Sequence, residues 1–538
     1  MHTLDLLVEN CHLPLAGDSA PVTIGVVEGR IAVVAPARPV EGLRRYALNT
    51  VDAAGRSLLP GFIAAHVHVP EAGVESARCD MTEAASASET LQKIRQFAAD
   101  DRGEWIIGRG WSLDRMGGTL PALAELDGAS AGKPAYLANE DGHSAWVNSE
   151  ALRRIGRTGG ADRDEILVEE EMRLVTELLP QLSEEELLTG LLAGQAKLHS
   201  HGITGWQDAI VGPFVPATDT YATYRRASES GRLTGRVQGD LWWPREVGSS
   251  SADMESKVAE LCEQRDSLPT EGHFICDTVK IMYDGVCERQ TAAVTRPYRA
   301  GAKGFGRTFF AWEAMAEAVM LLDRAGFHLH FHAIGDRAVR DCLDAIEAAV
   351  DGNPARLRRH QIAHIQLVRP DDPERMARLG VIANMQPFWA QFDAAMTASV
   401  LPALDPALAA LQFPLKTLSE SGVSLAFGSD WSSGSPNPLD WVHVAVNRHH
   451  PRHSLVDQAF QPGECLTRKQ ALAAATTGGA RALGLSACGV IEPGARADIV
   501  LLDRNLDDCA DDELCDVRVD WTFVDGKPVF DRREEWGQ

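Results

Sequence analysis

The sequence predicts an α/β protein built on a closed (β/α)8 barrel, with a small β-sandwich assembled from both chain ends and a subdomain inserted after the first barrel strand. Three observations predict it. Eight short β-rich runs alternate with helical stretches between residues 59 and 430, polar metal-ligating residue types gather at the ends of those runs, and hairpin-like segments lie at the two termini.

The candidate strands, in order, are LPGFIAAHVHV (59–69), GITGWQDAIV (202–211), GRVQGDLWW (235–243), CDTVKIMYDGV (276–286), FHLHFHAI (327–334), HQIAHIQLV (360–368), GVIANMQPF (380–388) and GVSLAFGSD (422–430). EEELLTGLLAGQAKLHSH precedes the second, WEAMAEAVMLLDRAG the fifth and DDPERMARLG the seventh, while DRAVRDCLDAIEAAV follows the fifth. Each carries apolar residues at helical spacing, and Gly ends several of them. Alternation of this kind implies parallel β/α units, and eight units favour a barrel over an open sheet. The stretch 70–185 is too long for one β/α loop and reads as an inserted cap subdomain within a 59–486 barrel. PVTIGVVEGRIAVVAP near the start, and RADIVLLDRN with VDWTFVDGKPVFD at the end, are hairpin-like, with G or DG at the turns. Neither end makes a stable sheet alone, so residues 1–58 and 487–538 are expected to form one composite β-sandwich.

Composition narrows the function classes. The 538 residues carry 52 Lys+Arg against 76 Asp+Glu, a formal charge of −24. Nucleic-acid affinity rests on neutralising phosphates, so an acidic chain argues against that partner, and equally against a polybasic membrane-surface protein. No run reaches the roughly 18–20 apolar residues of a membrane helix, and the N-terminus lacks the basic and apolar regions of a signal peptide. The ten cysteines show no C-x-x-C pattern and read as free thiols in a reducing compartment. A cytoplasmic protein acting on a small molecule is the expectation, with a homodimer as the commonest default state.

The chemistry lies at strand ends. His66 and His68, in H-V-H, share a face because side chains alternate along a strand, and in a barrel that face lines the C-terminal rim where active sites form. The fifth strand reads H-L-H-F-H-A-I-G-D. There His332 reaches the rim, while His328 and His330 carry mainly a structural reading and Asp336 reads as the cap of the next helix. The sixth strand carries His364, and the eighth ends at Asp430 in G-S-D. Imidazole and carboxylate together suit a borderline divalent ion such as zinc. Lys280, in V-K-I-M-Y-D-G, is costly to bury unless neutralised or paired. One reading is an ion pair with Asp284 or another acid; the other is uptake of CO2 to give a carbamate bridging two metals.

These motifs carry a resemblance. LLPGFIAAHVH, DGHSAWVNSEAL, GITGWQDA, VKIMYDGV, HFHAIGDRAV, AHIQLVRPDD, GSDW and GVIEPGARADIVLLD occur in order over nearly the whole chain. The chain thereby resembles the amidohydrolase superfamily, in the large branch that includes N-substituted formamide deformylases. The resemblance implies a metal-dependent hydrolase on a distorted TIM barrel with a composite sandwich. It implies metal ligands at His66 and His68, Lys280 as a carboxylated bridge, His332 and His364 on a second ion, and Asp430 as catalytic base and ligand of the first. One zinc ion is implied, or two if Lys280 is carboxylated. The sixth strand departs from the pattern, with A-H-I-Q where relatives often place an acid before the histidine, but the histidine is retained.

The resemblance also makes the insertion a cap over the barrel mouth and has His143 touch substrate or transition state; the alternative is a cap for the helix beginning near Ser149. Trp111 is a candidate pocket wall or an ordinary core residue, and Gln386, Trp389 and Trp431 are further candidates for the pocket lining. The expected function is hydrolysis of a non-peptide C–N bond, in an amide or N-substituted formamide. An ester, lactone or carbamate is the alternative substrate, and a non-catalytic metal-binding regulator the alternative class.

Overall fold

The eight β-rich runs fold as eight parallel strands of one sheet, paired in chain order. They are β1 (Phe62–Val67), β2 (Ile203–Val211), β3 (Arg236–Trp242), β4 (Phe274–Met282), β5 (His328–Ala333), β6 (Gln361–His364), β7 (Ile382–Met385) and β8 (Ser424–Phe427). The computed structural model describes the whole chain except residues 1–2, 17–19, 38–40, 83, 101–102, 113–115, 117–120, 140–143, 158–165, 214–218, 248–249, 270–271, 300–303, 394, 453–455, 457 and 536–538. Most strand residues are fully buried, as expected when helices cover a parallel sheet on the outside. The four helices read from the sequence form at Glu184–Ser200, Trp312–Arg324, Asp336–Gly352 and Asp372–Leu379.

Closure falls between β1 and the segment that follows β8. The N–H groups of Ser429 and Asp430 donate to the His66 carbonyl at 3.1 and 2.9 Å, and His68 N–H donates to the Trp431 carbonyl at 3.1 Å. Gly428 permits that approach: a Cβ there would lie 2.5 Å from the His66 nitrogen.

The run 59–69 is not one strand. Leu58–Pro60 pairs antiparallel with Ile499–Leu502 in a terminal sheet, and β1 begins only at Phe62. Gly61 is the break. Its N–H donates to the Asp498 carbonyl at 2.8 Å, and a side chain there would collide with Thr204. The chain therefore changes sheets within two residues, and His68 lies just past the strand end.

Both termini build the sandwich. One sheet orders Arg30–Pro36, Val22–Val27, Leu4–Cys11 and Ala47–Asp52; the other orders Lys527–Asp531, Val519–Val524, Ile499–Leu502 and Leu58–Pro60. Leu6, Val8, Ile24 and Val26 from the start of the chain share one core with Ile499, Leu501 and Phe523 from its end. Both hairpins turn through two residues of positive φ, Glu28–Gly29 and Asp525–Gly526, the conformation that suits a two-residue hairpin between twisted strands. The two turns abut, with Gly29 packed against Asp525.

Val69–Gly194 form a separate compact unit with its own five-stranded sheet, ordered Ile166–Val168, Ser144–Val147, Ala135–Asn139, Ile106–Trp111 and Cys79–Asp80. Its core includes Ile94, Ile106, Leu126, Leu137 and Trp146. All ten cysteines are free, and among the described residues no helix is long and apolar enough to cross a membrane.

Barrel and sandwich are tied by charge. Arg236, at the start of β3, bonds Asp498 through Nε at 2.5 Å and Nη2 at 3.1 Å, and reaches Asp525 at 2.6 Å. Both Arg236 and Asp498 are buried. Removing one partner strands a buried charge, so Asp498→Ala is expected to lower the free energy of unfolding by about 3–5 kcal/mol. Urea denaturation checks this, and a loss well under that range means the tie contributes little.

Candidate metal centre

The strand ends bring four strand side chains and two residues just beyond strands together at the C-terminal rim. Parallel register sets Lys280 beside His330, Met282 beside His332 and Ala333 beside His364. His66 stands at the end of β1, His332 in β5 and His364 at the end of β6. Asp430 and His68 arrive through the closure contacts described above. The His66 ring lies 4.8 Å from that of His364 and 5.6 Å from that of His68, and His332 lies 4.6 Å from His364. Asp430 Oδ1 is 3.1 Å from His68 Nε2 and 3.4 Å from His66 Nε2. One ligand atom from each of His66, His364 and Asp430 lies within 4.8 Å of the other two.

Backbone strain marks the same residues. His364 and Asp430 hold φ of +75° and +52°, a region that costs a non-glycine residue free energy and persists only where surrounding contacts enforce it.

Burial sets the charge states of the site. Burial first, and then the neighbouring cations, push the imidazoles of His66, His364 and His330 well below their ordinary range, so they are neutral. Lys280 is 2% exposed and its Nζ has no hydrogen-bond partner. Burial lowers it to about 8 against the pull of Asp240 and Asp430. Burial would raise the Asp430 carboxyl, but the hydrogen bond and charge of His68, with His364 and Lys280, hold it well below the usual carboxylate range.

The donor set fits a divalent ion. The buried Nδ1 atoms of His66 and His364 lack hydrogen-bond partners. Neutral imidazoles around an ionised carboxylate are the form in which such ligands bind a metal.

Lys280 does not pair with Asp284. The buried Asp284 carboxylate accepts the N–H groups of Ala293 at 2.9 Å, Ile334 at 3.0 Å and Gly335 at 2.9 Å, and lies 3.3 Å from His332 Nδ1. That alternative for Lys280 is set aside because the acid is already satisfied by backbone donors. Nor does Asp336 cap its helix. Gly335 is the cap residue, and the Asp336 carboxylate accepts from the N–H and hydroxyl of Thr295, fastening the loop after β4.

The pocket candidates divide. Trp389 stacks on His364 at 5.4 Å with an 18° interplanar angle, and Trp431 follows Asp430 and supplies the carbonyl that His68 N–H meets. Gln386 is fully buried, its amide donating to Asn384. Trp111 packs as a core residue of the inserted unit, 3% exposed, with its indole N–H on the Leu137 carbonyl. His143 lies outside the described residues. His328 accepts from Arg359 N–H at the start of β5, away from the rim.

Sequence reasoning missed Asp240 and Gln207. Asp240 is fully buried, accepts both of its contacts from Gln207 Nε2 at 2.9 and 2.8 Å, and meets His330 Nδ1 at 2.5 Å. Burial pushes its carboxyl up, opposed by Gln207 and Lys280. The available signal was strand parity: a carboxylate in the middle of GRVQGDLWW, between apolar neighbours, has to find a partner inside the barrel.

The comparisons with known proteins agree with this fold. A family model described as "Amidohydrolase family" matches residues 49–530. The chain is 28% identical to "Protein LONG AFTER FAR-RED 3" of Arabidopsis thaliana, over 98% of this chain and 91% of that one. It is 25% identical to "N-substituted formamide deformylase" of Arthrobacter pascens, over 98% of both. Among solved structures, an uncharacterized metal-dependent hydrolase from Pyrococcus horikoshii superposes with a TM-score of 0.74 at 22% identity, covering 93% of this chain and 97% of that one, and so shares the fold.

The Lys280 environment generates a pH dependence. Its pKa falls from 10.5 to about 8 on folding, so between those values the unfolded chain binds the extra proton and stability rises with pH. Metal-stripped protein in CO2-free buffer is expected to gain unfolding free energy as pH rises from about 8 to 10.5, measured by urea titration at each pH. Lys280→Met is expected to lose that slope; an unchanged slope places the titration elsewhere.

Proposed function

The chain belongs to the amidohydrolase family, and from that membership we propose that it is a zinc-type hydrolase opening a non-peptide C–N bond, in an amide or N-substituted formamide of a small molecule. The observation that carries the reading is the convergence of His66, His68, Lys280, His332, His364 and Asp430 on one rim, with unpartnered buried nitrogens among them. An inactive descendant has no need to keep such a costly set together.

His66, His68 and Asp430 would hold one ion, and His332 with His364 a second, with Lys280 as carbamate between them. The lowered pKa of Lys280 favours that role, because only the neutral amine takes up CO2. When bound, a divalent ion supplies a nucleophilic hydroxide near neutral pH and polarises the acyl oxygen. Asp430 stays ionised, accepts the proton released by water and returns it to the leaving nitrogen. The 3.1 Å approach of His68 Nε2 to Asp430 Oδ1 places these two donors side by side for that ion. Trp389, stacked on His364, excludes water from one side of the centre. Trp431 borders the acid.

Formamides, acetanilides, lactones and carbamates, assayed with and without chelator alongside metal analysis, test the reading. Asp430→Asn is expected to retain metal and lose about 10²–10⁴-fold in turnover, whereas His66→Ala loses metal first. Turnover by metal-free protein equal to that of the loaded form overturns the proposal.

A further inference from the structure

The rim carries two arginines that the hydrolytic chemistry leaves unused. β3 runs out at Trp242, and the next backbone N–H, that of Trp243, donates to the Lys280 carbonyl at 3.0 Å. Two residues on, the Arg245 guanidinium lies 4.0 Å from the sulfur of Met282. Met282 shares the face of Lys280 and is the register partner of His332. Arg245 therefore sits at the metal-centre end of the barrel.

Arg307 reaches the same place from the loop after β4. Tyr283 N–H donates to the His332 carbonyl at 3.1 Å, Phe309 N–H to the Tyr283 carbonyl at 2.8 Å, and Thr308 bridges Asp284. In this extended stretch Arg307 and Phe309 share one side. Arg245 lies over the Phe309 ring at 3.5 Å and Arg307 approaches the same ring at 5.5 Å.

An aromatic face attracts a cation, which by itself accounts for one arginine. It does not account for two against the same ring, where like charges repel. Burial and the charge of Arg307 lower the Arg245 guanidinium, with Glu246 acting against them. Among the described residues neither arginine has an ion pair, in a chain with 24 more acidic than basic side chains and arginines widely paired elsewhere. Both are exposed, so a ligand can reach them. Planar guanidinium groups with free N–H donors fit a carboxylate.

We propose that Arg245 and Arg307, gathered over Phe309 at the rim, bind a carboxylate carried by the substrate at a distance from the scissile bond. This makes the substrate an anionic amide, an N-acyl amino acid in the broad chemical sense, and it rests on the hydrolase reading above.

The test compares N-formyl ω-amino acids of graded chain length with N-formyl alkylamines of matching length, using metal-loaded protein. For at least one chain length the acid is expected to exceed the amine by about tenfold or more in kcat/KM, the scale of a charge-assisted hydrogen bond, and chiefly through KM. The ratio is expected to fall towards one in Arg245→Gln/Arg307→Gln and to recover in part in the double Lys variant, with thermal melts confirming that each is folded. Equal kcat/KM for acid and amine in the wild type overturns the anion site and leaves the hydrolase reading intact. If the wild type turns over neither series, calorimetry with the free ω-amino acids and alkylamines decides. Binding of the acids alone, lost in the Gln variant, sustains the site while the hydrolase reading falls; no preference for the acids overturns the site.

Discussion

The closure contact between β1 and the segment after β8 is the constraint on which the rest depends. The His66 carbonyl receives two N–H groups, from Ser429 and Asp430, and that arrangement sets the His66 imidazole beside a carboxylate from a position more than 360 residues later in the chain. It requires a residue without a side chain at 428 and a left-handed backbone at 430. Closing the barrel and assembling the site are thus one physical event. A change that opens this edge removes Asp430 from the histidines even if every ligand is retained.

The site is built at the expense of stability. Lys280 is buried without a hydrogen bond, Asp240 is buried with its carboxyl pushed up, and several imidazole nitrogens lack partners. Unpaired buried polar groups are expensive, and the surroundings offset them. Asp284 fastens three backbone N–H groups around the end of β5, Asn384 donates to the Ala65 carbonyl and to Gln361, and Arg236 locks the barrel to the terminal sheets. Polar groups left open at the rim are surrounded by polar groups that are fully satisfied, which is how a strained site is held in a stable frame.

Much of the fold was legible. Period and punctuation located the eight barrel strands and four of the helices, because burial on both faces of a parallel sheet demands β-rich runs, and an amphipathic helix repeats on one face. The break at Gly61 was not legible, since LPGFIAAHVHV is continuous in hydrophobicity and its two halves differ only in which strand lies alongside. Asp336 misled in a similar way. Its position before a helix suggests a cap, and only the approach of Thr295 shows where the carboxylate goes.

The sequence by itself determined which chemistry was available: histidines at the ends of three strands, a lysine inside a fourth, an aspartate after the last, and the alternation that closes a barrel. Those features are local, set by residue type and the two-residue repeat of a strand. Tertiary structure alone decided who meets whom. It placed Asp284 on backbone amides and away from Lys280, gave His330 to Asp240, bonded the buried Gln386 to Asn384, and set Arg245 and Arg307 on one aromatic ring. These pairings join residues tens to hundreds of positions apart, and their distances follow from strand register and barrel closure, which no local pattern encodes.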